Sequence, residues 1–306
     1  MQSLIKYKSL IFSLLSGLLL ILIFPRFDLE FLAWFALIPL LQAIQDQPHS
    51  KAAIYGFSAG LVFYFFGLNW ITNTLVNYGN IPPLVSYPIL ALLSAYMAFF
   101  LALFCYLVRR LSRGNPLYAF MLAPVVWTSL EYLRSTHGTY GFSWLGLGYS
   151  QYLNLPIIQV AEYTGVYGIS TLIVLVNSGL NYLLSAYFAD PRQAHLYPQN
   201  LKKRVASITA GIFLVCFVYG YTVLPFHENR AQSDGVKTLK IGLAQGNIEQ
   251  NQKWNPQYRS HVLNTYRNLT LQAAEAAPDL IVWPEAAIPF FFLLDDKETL
   301  WLKKLV

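Results

Sequence analysis

The chain has 306 residues, of which 56% are hydrophobic and only 12% charged, and its formal net charge is +6. This composition excludes an ordinary soluble domain. The basic residues do not form a stripe with interleaved aromatics, so the positive charge does not indicate nucleic-acid binding. Apolar blocks fill the first two-thirds of the chain, and polar residues become frequent after Phe226. The sequence therefore predicts a membrane-embedded region followed by a water-exposed one.

Seven segments carry enough apolar residues to form transmembrane helices. The first has lysines ahead of its apolar core, as a signal peptide does, but no small-residue cleavage pattern follows it, so we expect an anchor. The sequence predicts a polytopic α-helical membrane bundle of about seven transmembrane helices within residues 1–225. Their approximate bounds are 9–24, 27–44, 52–71, 84–108, 117–133, 156–188 and 205–224.

The basic residues between these segments predict the orientation of the bundle. Alternate connections are rich in Lys and Arg, and the others contain only Arg26 and Arg134. Because short cytoplasmic loops carry the excess of Lys and Arg, we expect a cytoplasmic N-terminus and an extracytoplasmic segment after the seventh helix. The basic residues behind this expectation are Lys6, Lys8, Lys51, Arg109, Arg110, Arg113, Arg192, Lys202, Lys203 and Arg204.

The tail, residues 226–306, has the pattern of an α/β domain. A short β-prone run over 239–245 ends in the turn residues Gly246 and Asn247. Helical spacing of apolar residues follows over 256–276, and 280–283 is a second apolar strand. Strand, helix and strand predict a crossover unit of a layered α/β domain. The last residues, 297–306, predict a further helix.

Glu285 is the strongest candidate for a chemical role. It follows the second apolar strand in Trp283-Pro-Glu285, and α/β folds commonly place reacting groups just past the carboxyl end of a strand. Proline fixes the local backbone path, which would orient the carboxylate. Partial burial would raise the pKa of this carboxylate toward the range useful to a general base. The alternative is an ordinary loop glutamate at a strand end.

Aromatic residues are concentrated in two predicted extracytoplasmic segments. Residues 141–151 combine glycines with Phe142, Trp144 and Tyr149, which favours an interfacial segment. Trp254 lies in the loop before the predicted helix of the tail and could contact acyl chains or headgroups. In both segments the alternative is an aromatic belt at the membrane surface that binds no ligand.

The remaining polar candidates are carboxylates at helix ends. Glu131 and Arg134 have a spacing that allows an ion pair on one helix face, and Glu162 has no such local partner. Both cysteines, Cys105 and Cys216, lie in apolar runs, and no histidines have metal-ligand spacing. We therefore expect neither a metal site nor a cofactor.

Several segments together resemble the apolipoprotein N-acyltransferases, membrane enzymes with a nitrilase-like extracytoplasmic domain. In the membrane region the resemblance rests on 53–60 with 67–71, on 141–151 and on 165–170. In the tail it rests on Gln245-Gly-Asn247, on Lys253-Trp254 and on Trp283-Pro-Glu285, in matching order and spacing. The resemblance implies a protein of the bacterial inner membrane. It also implies that residues 226–306 begin an αββα sandwich on the periplasmic or extracytoplasmic side.

The resemblance also implies a reaction and roles for residues. In the family a glutamate takes the proton of a cysteine thiol, and a lysine stabilises the oxyanion. The cysteine accepts an acyl chain from a phospholipid donor and passes it to the α-amino group of an S-diacylglyceryl cysteine on a lipoprotein. Glu285 matches the family's glutamate. Trp254 and Trp144 match its substrate-contacting aromatics, and Phe142, Tyr149, Gln245 and Asn247 are further candidate substrate-binding residues in matching motifs.

The family's lysine and cysteine lie well downstream of its glutamate, and this chain ends at Val306. We therefore expect an N-terminal portion of such an enzyme, inactive alone, and a separately encoded C-terminal half is one way to complete it. Two other functions stay open at this point. They are a membrane transporter and a non-catalytic membrane scaffold, each with a soluble appendage.

Overall fold

A computed structural model describes residues 2–138, 141–189, 191–231 and 238–305. The chain divides into two compact units, Met1–Asn229 and Arg230–Val306. The first unit is helical, and the second contains two short strands with helices. The assignment of residues 1–225 to a membrane domain and of 226–306 to a nitrilase-like domain stays a prediction.

Within the described ranges, nine α-helices begin in the first unit. They are α1 (Gln2–Leu22), α2 (Ile38–Ile44), α3 (His49–Gly67), α4 (Trp70–Asn77), α5 (Pro83–Ser112), α6 (Pro116–Thr136), α7 (Leu155–Ile158), α8 (Ala161–Tyr187) and α9 (Gln199–Ala231). Short 3₁₀ helices at Glu30–Trp34 and Leu147–Gln151 lie between them. Each of the seven predicted apolar segments is therefore at least partly helical.

Fewer helices than seven have the length and apolarity to cross a bilayer. Among the described residues three do, Pro83–Ser112, Ala161–Tyr187 and Gln199–Phe226, and a fourth is obtained if α3 and α4 form one bent span. The second predicted segment is divided between a 3₁₀ helix and the short α2. Helix α6 is long enough, but Glu131 and Arg134 lower its mean hydropathy. The count of seven transmembrane helices stays a prediction.

Glycines allow α3 and α5 to pack at close range. A Cβ atom at Gly56 would lie 2.5 Å from the carbonyl oxygen of Leu101, and one at Gly60 would lie 2.7 Å from Cα of Ala98. Real Cβ atoms do not approach other atoms this closely, so both positions require glycine. Apolar side chains from α1, α3, α5, α6 and α8 form one continuous core around this contact.

Two helices are interrupted near the same end of the bundle. Helix α3 ends at Gly67, and α4 continues at an angle of 51° to it. Helix α8 is broken at Gly165, whose φ of +61° and ψ of −173° are outside the helical region. Only glycine adopts this conformation readily. Both interruptions adjoin the segment 141–151, which connects α6 to α7.

The second unit contains the predicted crossover. Strands β1 (Ile241–Leu243) and β2 (Leu280–Val282) pair in parallel, with Leu243 opposite Val282. Three helices are described in it: α10 (Gln250–Lys253), α11 (Arg259–Ala274) and α12 (Asp296–Leu305). Helix α11 joins the strands and packs on them, so the strand, helix, strand prediction is confirmed. The αββα sandwich stays a prediction.

Candidate functional site

A buried carboxylate organises one end of the first unit. Glu131 on α6 is only 6% exposed and accepts hydrogen bonds at both oxygens. Trp127 Nε1 and the Leu147 backbone N–H donate to Oε2 at 2.8 and 3.1 Å, and Ser170 Oγ donates to Oε1 at 2.7 Å. Glu131 thus connects α6, the start of the 3₁₀ helix at Leu147–Gln151 and α8.

Arg134 holds the first part of the same segment. It is 2% exposed, and its Nη1 donates to the carbonyl oxygens of Phe142 and Trp144 at 2.8 and 2.9 Å. Its guanidinium also lies 5.8 Å from the ring centroid of Tyr64. Within the described residues Glu131 and Arg134 form no ion pair, although their spacing allows one. Each instead satisfies backbone groups of the segment 141–151, which has few hydrogen bonds of its own.

The segment 141–151 contacts α8 closely through Gly148. The Gly148 N–H donates to Ser170 Oγ at 2.8 Å, and a Cβ atom at this position would lie 2.4 Å from the Val166 carbonyl oxygen. Leu145 has a φ of +57°, an unusual backbone conformation for leucine, and its side chain reaches Gly67 at the end of α3. The segment is therefore held between α3, α6 and α8.

An aromatic cleft opens where this segment meets α3 and α4. Trp144 lies 5.1 Å from Phe142 and 6.1 Å from Trp70, measured between ring centroids. Tyr149 lines the same cleft, whose volume is about 410 Å³. Trp144, Trp70 and Tyr149 are all exposed. The fold thus brings together the three aromatic residues predicted from the segment 141–151.

A second apolar cleft of about 560 Å³ adjoins the first. The two share four lining residues, and the second extends along α1 as far as Leu18. Arg26 and Asn69 also line it, beside apolar side chains. Apolar walls with a cationic group at one end suit an amphipathic ligand that has a long hydrocarbon chain. The shared residues are Phe24, Pro25, Gly67 and Trp70.

In the second unit, the predicted residues lie at the carboxyl ends of both strands. Because β1 and β2 are parallel, Gln245-Gly-Asn247 and Glu285 emerge at the same edge of the sheet. Gln245 Nε2 donates to Asn247 Oδ1 at 2.8 Å, and Asn247 has a φ of +49°. Glu285 lies in a turn and its side chain is exposed, so the partial burial that would favour a general base is not seen within the described part of this unit.

A small core supports this edge from below. Tyr266 on α11 stacks on Trp283 with ring centroids 5.1 Å apart, and Trp283 Nε1 donates to Thr270 Oγ1 at 2.9 Å. Burial raises the pKa of the Tyr266 phenol, and a hydrogen bond with the Gly246 backbone opposes that rise. Since Trp283 precedes Pro284 and Glu285, its packing fixes the start of the turn that carries Glu285.

Trp254 is exposed at the end of α10 and contacts another exposed aromatic. Its ring centroid lies 5.9 Å from that of Phe291. Phe291 itself follows Glu285 in a run of exposed apolar side chains that also contains Phe292, Leu293 and Leu294. The second unit therefore exposes an apolar aromatic surface next to the turn of Glu285 in the chain.

Residues 16–179 match the family model described as the apolipoprotein N-acyltransferase N-terminal domain. This match covers more than half of the chain. The chain belongs to the apolipoprotein N-acyltransferase family. The resemblance seen in the sequence is thereby confirmed, and the matched range contains Glu131, Arg134, Trp144 and Ser170.

Curated relatives extend the similarity beyond the matched domain. An apolipoprotein N-acyltransferase of Geobacter metallireducens is 40% identical over 287 residues, which are 93% of this chain and 52% of the relative. One from Pasteurella multocida is 31% identical, with the same two shares, and one from Haemophilus influenzae is 32% identical over 93% of this chain and 51% of the relative. The chain spans about half the length of these relatives.

Some site residues of this N-acyltransferase family member were not predicted from the sequence. Four residues contact the segment 141–151 or the buried side chains of Glu131 and Arg134 but were assigned no individual role from the sequence: Trp70, Tyr64, Trp127 and Ser170. A signal was present for two of them, because Trp70 lies in the motif 67–71 and Ser170 ends the motif 165–170.

Glu162 on α8 also has a hydrogen-bond partner on another helix. Among the described residues Glu162 has no local partner on its own helix, and Tyr219 Oη on α9 donates to its Oε2 at 3.2 Å. The pairing joins α8 to α9 and gives Glu162 a structural role. Across the described ranges, no group of three or more His, Cys, Asp or Glu side chains is arranged to hold a metal ion.

Proposed function

We propose that the chain forms the acyl-donor cleft and supplies the general base of an apolipoprotein N-acyltransferase. In this reaction an acyl chain leaves a phospholipid, forms a thioester with a cysteine, and passes to the α-amino group of an S-diacylglyceryl cysteine on a lipoprotein. Family membership supports the reaction class. The observation that carries the proposal is the pair of adjoining apolar clefts beside Trp144 and Trp70.

The clefts suit the phospholipid donor. The acyl chains of a membrane phospholipid are already out of water, so apolar walls hold such a chain by van der Waals packing and add no cost of burying polar groups. The wider cleft supplies such walls along α1, and Arg26 at its margin would attract a phosphate. Trp144 and Tyr149 line the other cleft, where they would contact the acyl ester, and Phe142 packs against Trp144.

Glu285 is the proposed base. A carboxylate at the carboxyl edge of parallel strands can take the thiol proton of a nucleophilic cysteine. Gln245 and Asn247 emerge at the same edge and would orient the reacting groups by hydrogen bonding. Cys105 is fully buried in α5 and Cys216 lies in α9, so neither is proposed as the nucleophile. Trp254 is proposed to contact acyl chains together with Phe291.

The proposed setting is the bacterial inner membrane, with the N-terminus in the cytoplasm and the second unit in the extracytoplasmic space. The distribution of Lys and Arg between the apolar segments supports this orientation. A transporter is disfavoured by the family membership. A separately encoded C-terminal half remains a proposed partner.

A chimera tests the reaction. The chain would replace the matching half of the Geobacter metallireducens relative in cells depleted of their own enzyme, with triacylated lipoprotein measured by mass spectrometry. Wild-type sequence should restore triacylation, and Glu285→Gln should lower it by about 10²-fold or more, as loss of a general base does. Glu275→Gln changes an exposed glutamate of the same unit and should have no effect. Full activity of the Glu285→Gln chimera would remove Glu285 from the mechanism.

Cross-linking tests the cleft separately. A phospholipid with a photoreactive acyl chain should label the segment 141–151 in the wild-type chain. Trp144→Ala should reduce the labelling several-fold, and Tyr187→Ala, which changes an 82% exposed aromatic on α8 outside both clefts, should not. Equal labelling of all three proteins would mean that the clefts do not bind the donor.

A further inference from the structure

A cationic cleft lies at the end of α3 that is far from Trp144. Its volume is about 580 Å³, and it is formed by the start of α3 and the end of α5. Helix α3 has 19 residues and is therefore about 28 Å long, so this cleft and the aromatic clefts lie at opposite ends of it. The residues that line the cationic cleft are Gln47, Pro48, His49, Arg109, Arg110, Arg113 and Gly114.

Three arginines converge on the cleft because of local backbone structure. Arg109 and Arg110 occupy the last turn of α5, and Arg113 ends that helix in the left-handed conformation, with a φ of +50°. The close packing of α3 on α5 through Gly56 keeps the start of α3 beside them. Arg109 Nε donates to the Gln47 carbonyl oxygen at 3.1 Å, which fixes its guanidinium at the margin of the cleft.

The cleft carries an excess of positive charge. Within the described ranges no carboxylate lines it, and neither Arg110 nor Arg113 forms an ion pair. Asp46 does not line the cleft but interacts electrostatically with Arg109. Arg110, Arg113 and His49 are exposed. A single arginine at a helix end satisfies the helix dipole, whereas three around one concave volume provide more positive charge than α5 requires.

Both helices that form the cleft also carry exposed apolar side chains. Leu111 on α5 is 49% exposed and Ile54 on α3 is 61% exposed. The ends of α3 and α5 therefore present cationic groups in the cleft and exposed hydrocarbon surface on the same helices. Anionic phospholipid has this combination, because its phosphate is anionic and its chains are apolar.

We propose that Arg109, Arg110 and Arg113 bind the phosphate group of an anionic phospholipid at this end of the bundle. This lipid is separate from the proposed acyl donor, and its site is independent of Glu285 and of the aromatic clefts. It would hold the ends of α3 and α5 together in the membrane. Free phosphate shares the recognition chemistry, so the test must separate the two sources.

The test uses the full 306-residue chain in detergent. Native mass spectrometry would measure the dissociation constants of phosphatidylglycerol and of phosphatidylcholine. The variant Arg110→Gln/Arg113→Gln removes two cleft cations. Lys203→Gln/Arg204→Gln removes two exposed cations from the first turns of α9, outside the cleft, and is the matched control. Size-exclusion chromatography and the thermal midpoint would verify that each protein is folded.

Wild-type chain should bind phosphatidylglycerol more tightly than phosphatidylcholine. The cleft variant should lose about 30-fold in affinity for phosphatidylglycerol, roughly fivefold for each arginine, and the control should lose less than about threefold. Equal losses in the two variants, or no loss in the cleft variant, would overturn the site. If sodium phosphate binds the wild-type chain more tightly than the cleft variant while phosphatidylglycerol binds both equally, the ligand is a free phosphate ion and the lipid assignment is wrong.

Discussion

Replacing Glu131 by leucine tests whether one buried carboxylate holds the segment 141–151 in place. Leucine has a similar size but accepts no hydrogen bond, so three donors lose their acceptor: Trp127 Nε1, the Leu147 N–H and Ser170 Oγ. Each unsatisfied buried donor costs about 1–3 kcal/mol. The Leu147 and Ser170 donors are in buried residues and Trp127 is partly buried, which gives a total loss of roughly 4 kcal/mol in the free energy of unfolding.

The thermal midpoint in detergent measures this loss. For a unit of this size, 1 kcal/mol corresponds to about 2–4 °C, so Glu131→Leu should lower the midpoint by about 10 °C. Glu131→Gln keeps one acceptor oxygen for Trp127 and Leu147 and should cost only about 3 °C. Protease sensitivity between residues 141 and 151 should rise in the same order.

Glu162→Gln is the matched control, because Glu162 is an exposed glutamate with a single hydrogen bond, from Tyr219. It should shift the midpoint by no more than about 2 °C. Glu131→Leu could instead have the same thermal midpoint as Glu162→Gln and leave residues 141–151 equally resistant to protease. That result would mean that packing, and not the carboxylate, positions the segment.

Two further predictions concern helix packing and the second unit. Gly56→Leu should separate α3 from α5 and lower the yield of folded protein, because its Cβ would lie 2.5 Å from the Leu101 carbonyl oxygen. Gly211→Ala should be tolerated, because a Cβ at Gly211 has nothing within 4 Å. Equal yields of the two variants would contradict the close packing of α3 on α5. The pKa of Tyr266 is raised above its ordinary value of 10.0, so the neutral phenol is favoured in the folded state. Its contribution to the stability of the second unit should be complete below pH 10.0 and disappear as the pH rises through the raised pKa. Tyr266→Phe should remove that alkaline transition in tryptophan fluorescence, and its persistence would assign the transition to another group.

The sequence was sufficient for local structure and for residues near one another in the chain. Apolar runs predicted helices, and the alternation of strand, helix and strand predicted the crossover unit whose parallel strands bring Gln245, Asn247 and Glu285 to one edge. Parallel pairing determines that result without any knowledge of side-chain contacts. Whether Glu285 is buried depends on what packs over its turn, which the local sequence does not specify.

The first unit shows why other contacts could not be predicted. Trp70 and Trp144 contact each other across a long stretch of chain, and no periodicity specifies such a pair. The spacing of Glu131 and Arg134 suggested an ion pair. In the structure both side chains instead form hydrogen bonds with backbone groups of the segment 141–151. Buried peptide groups without partners are costly, so they determine where charged side chains bind.

The bend between α3 and α4 relates the depth of the aromatic cleft to the thickness of the bilayer. A straight helix from His49 to Asn77 would be about 43 Å long and would exceed a hydrocarbon layer of about 30 Å, whereas α3 alone matches that layer. The 51° turn lets α4 run closer to the membrane plane. Trp70, the first residue of α4, lies directly after this bend, so we expect a thinner or thicker bilayer to change the width of the cleft before it tilts the bundle.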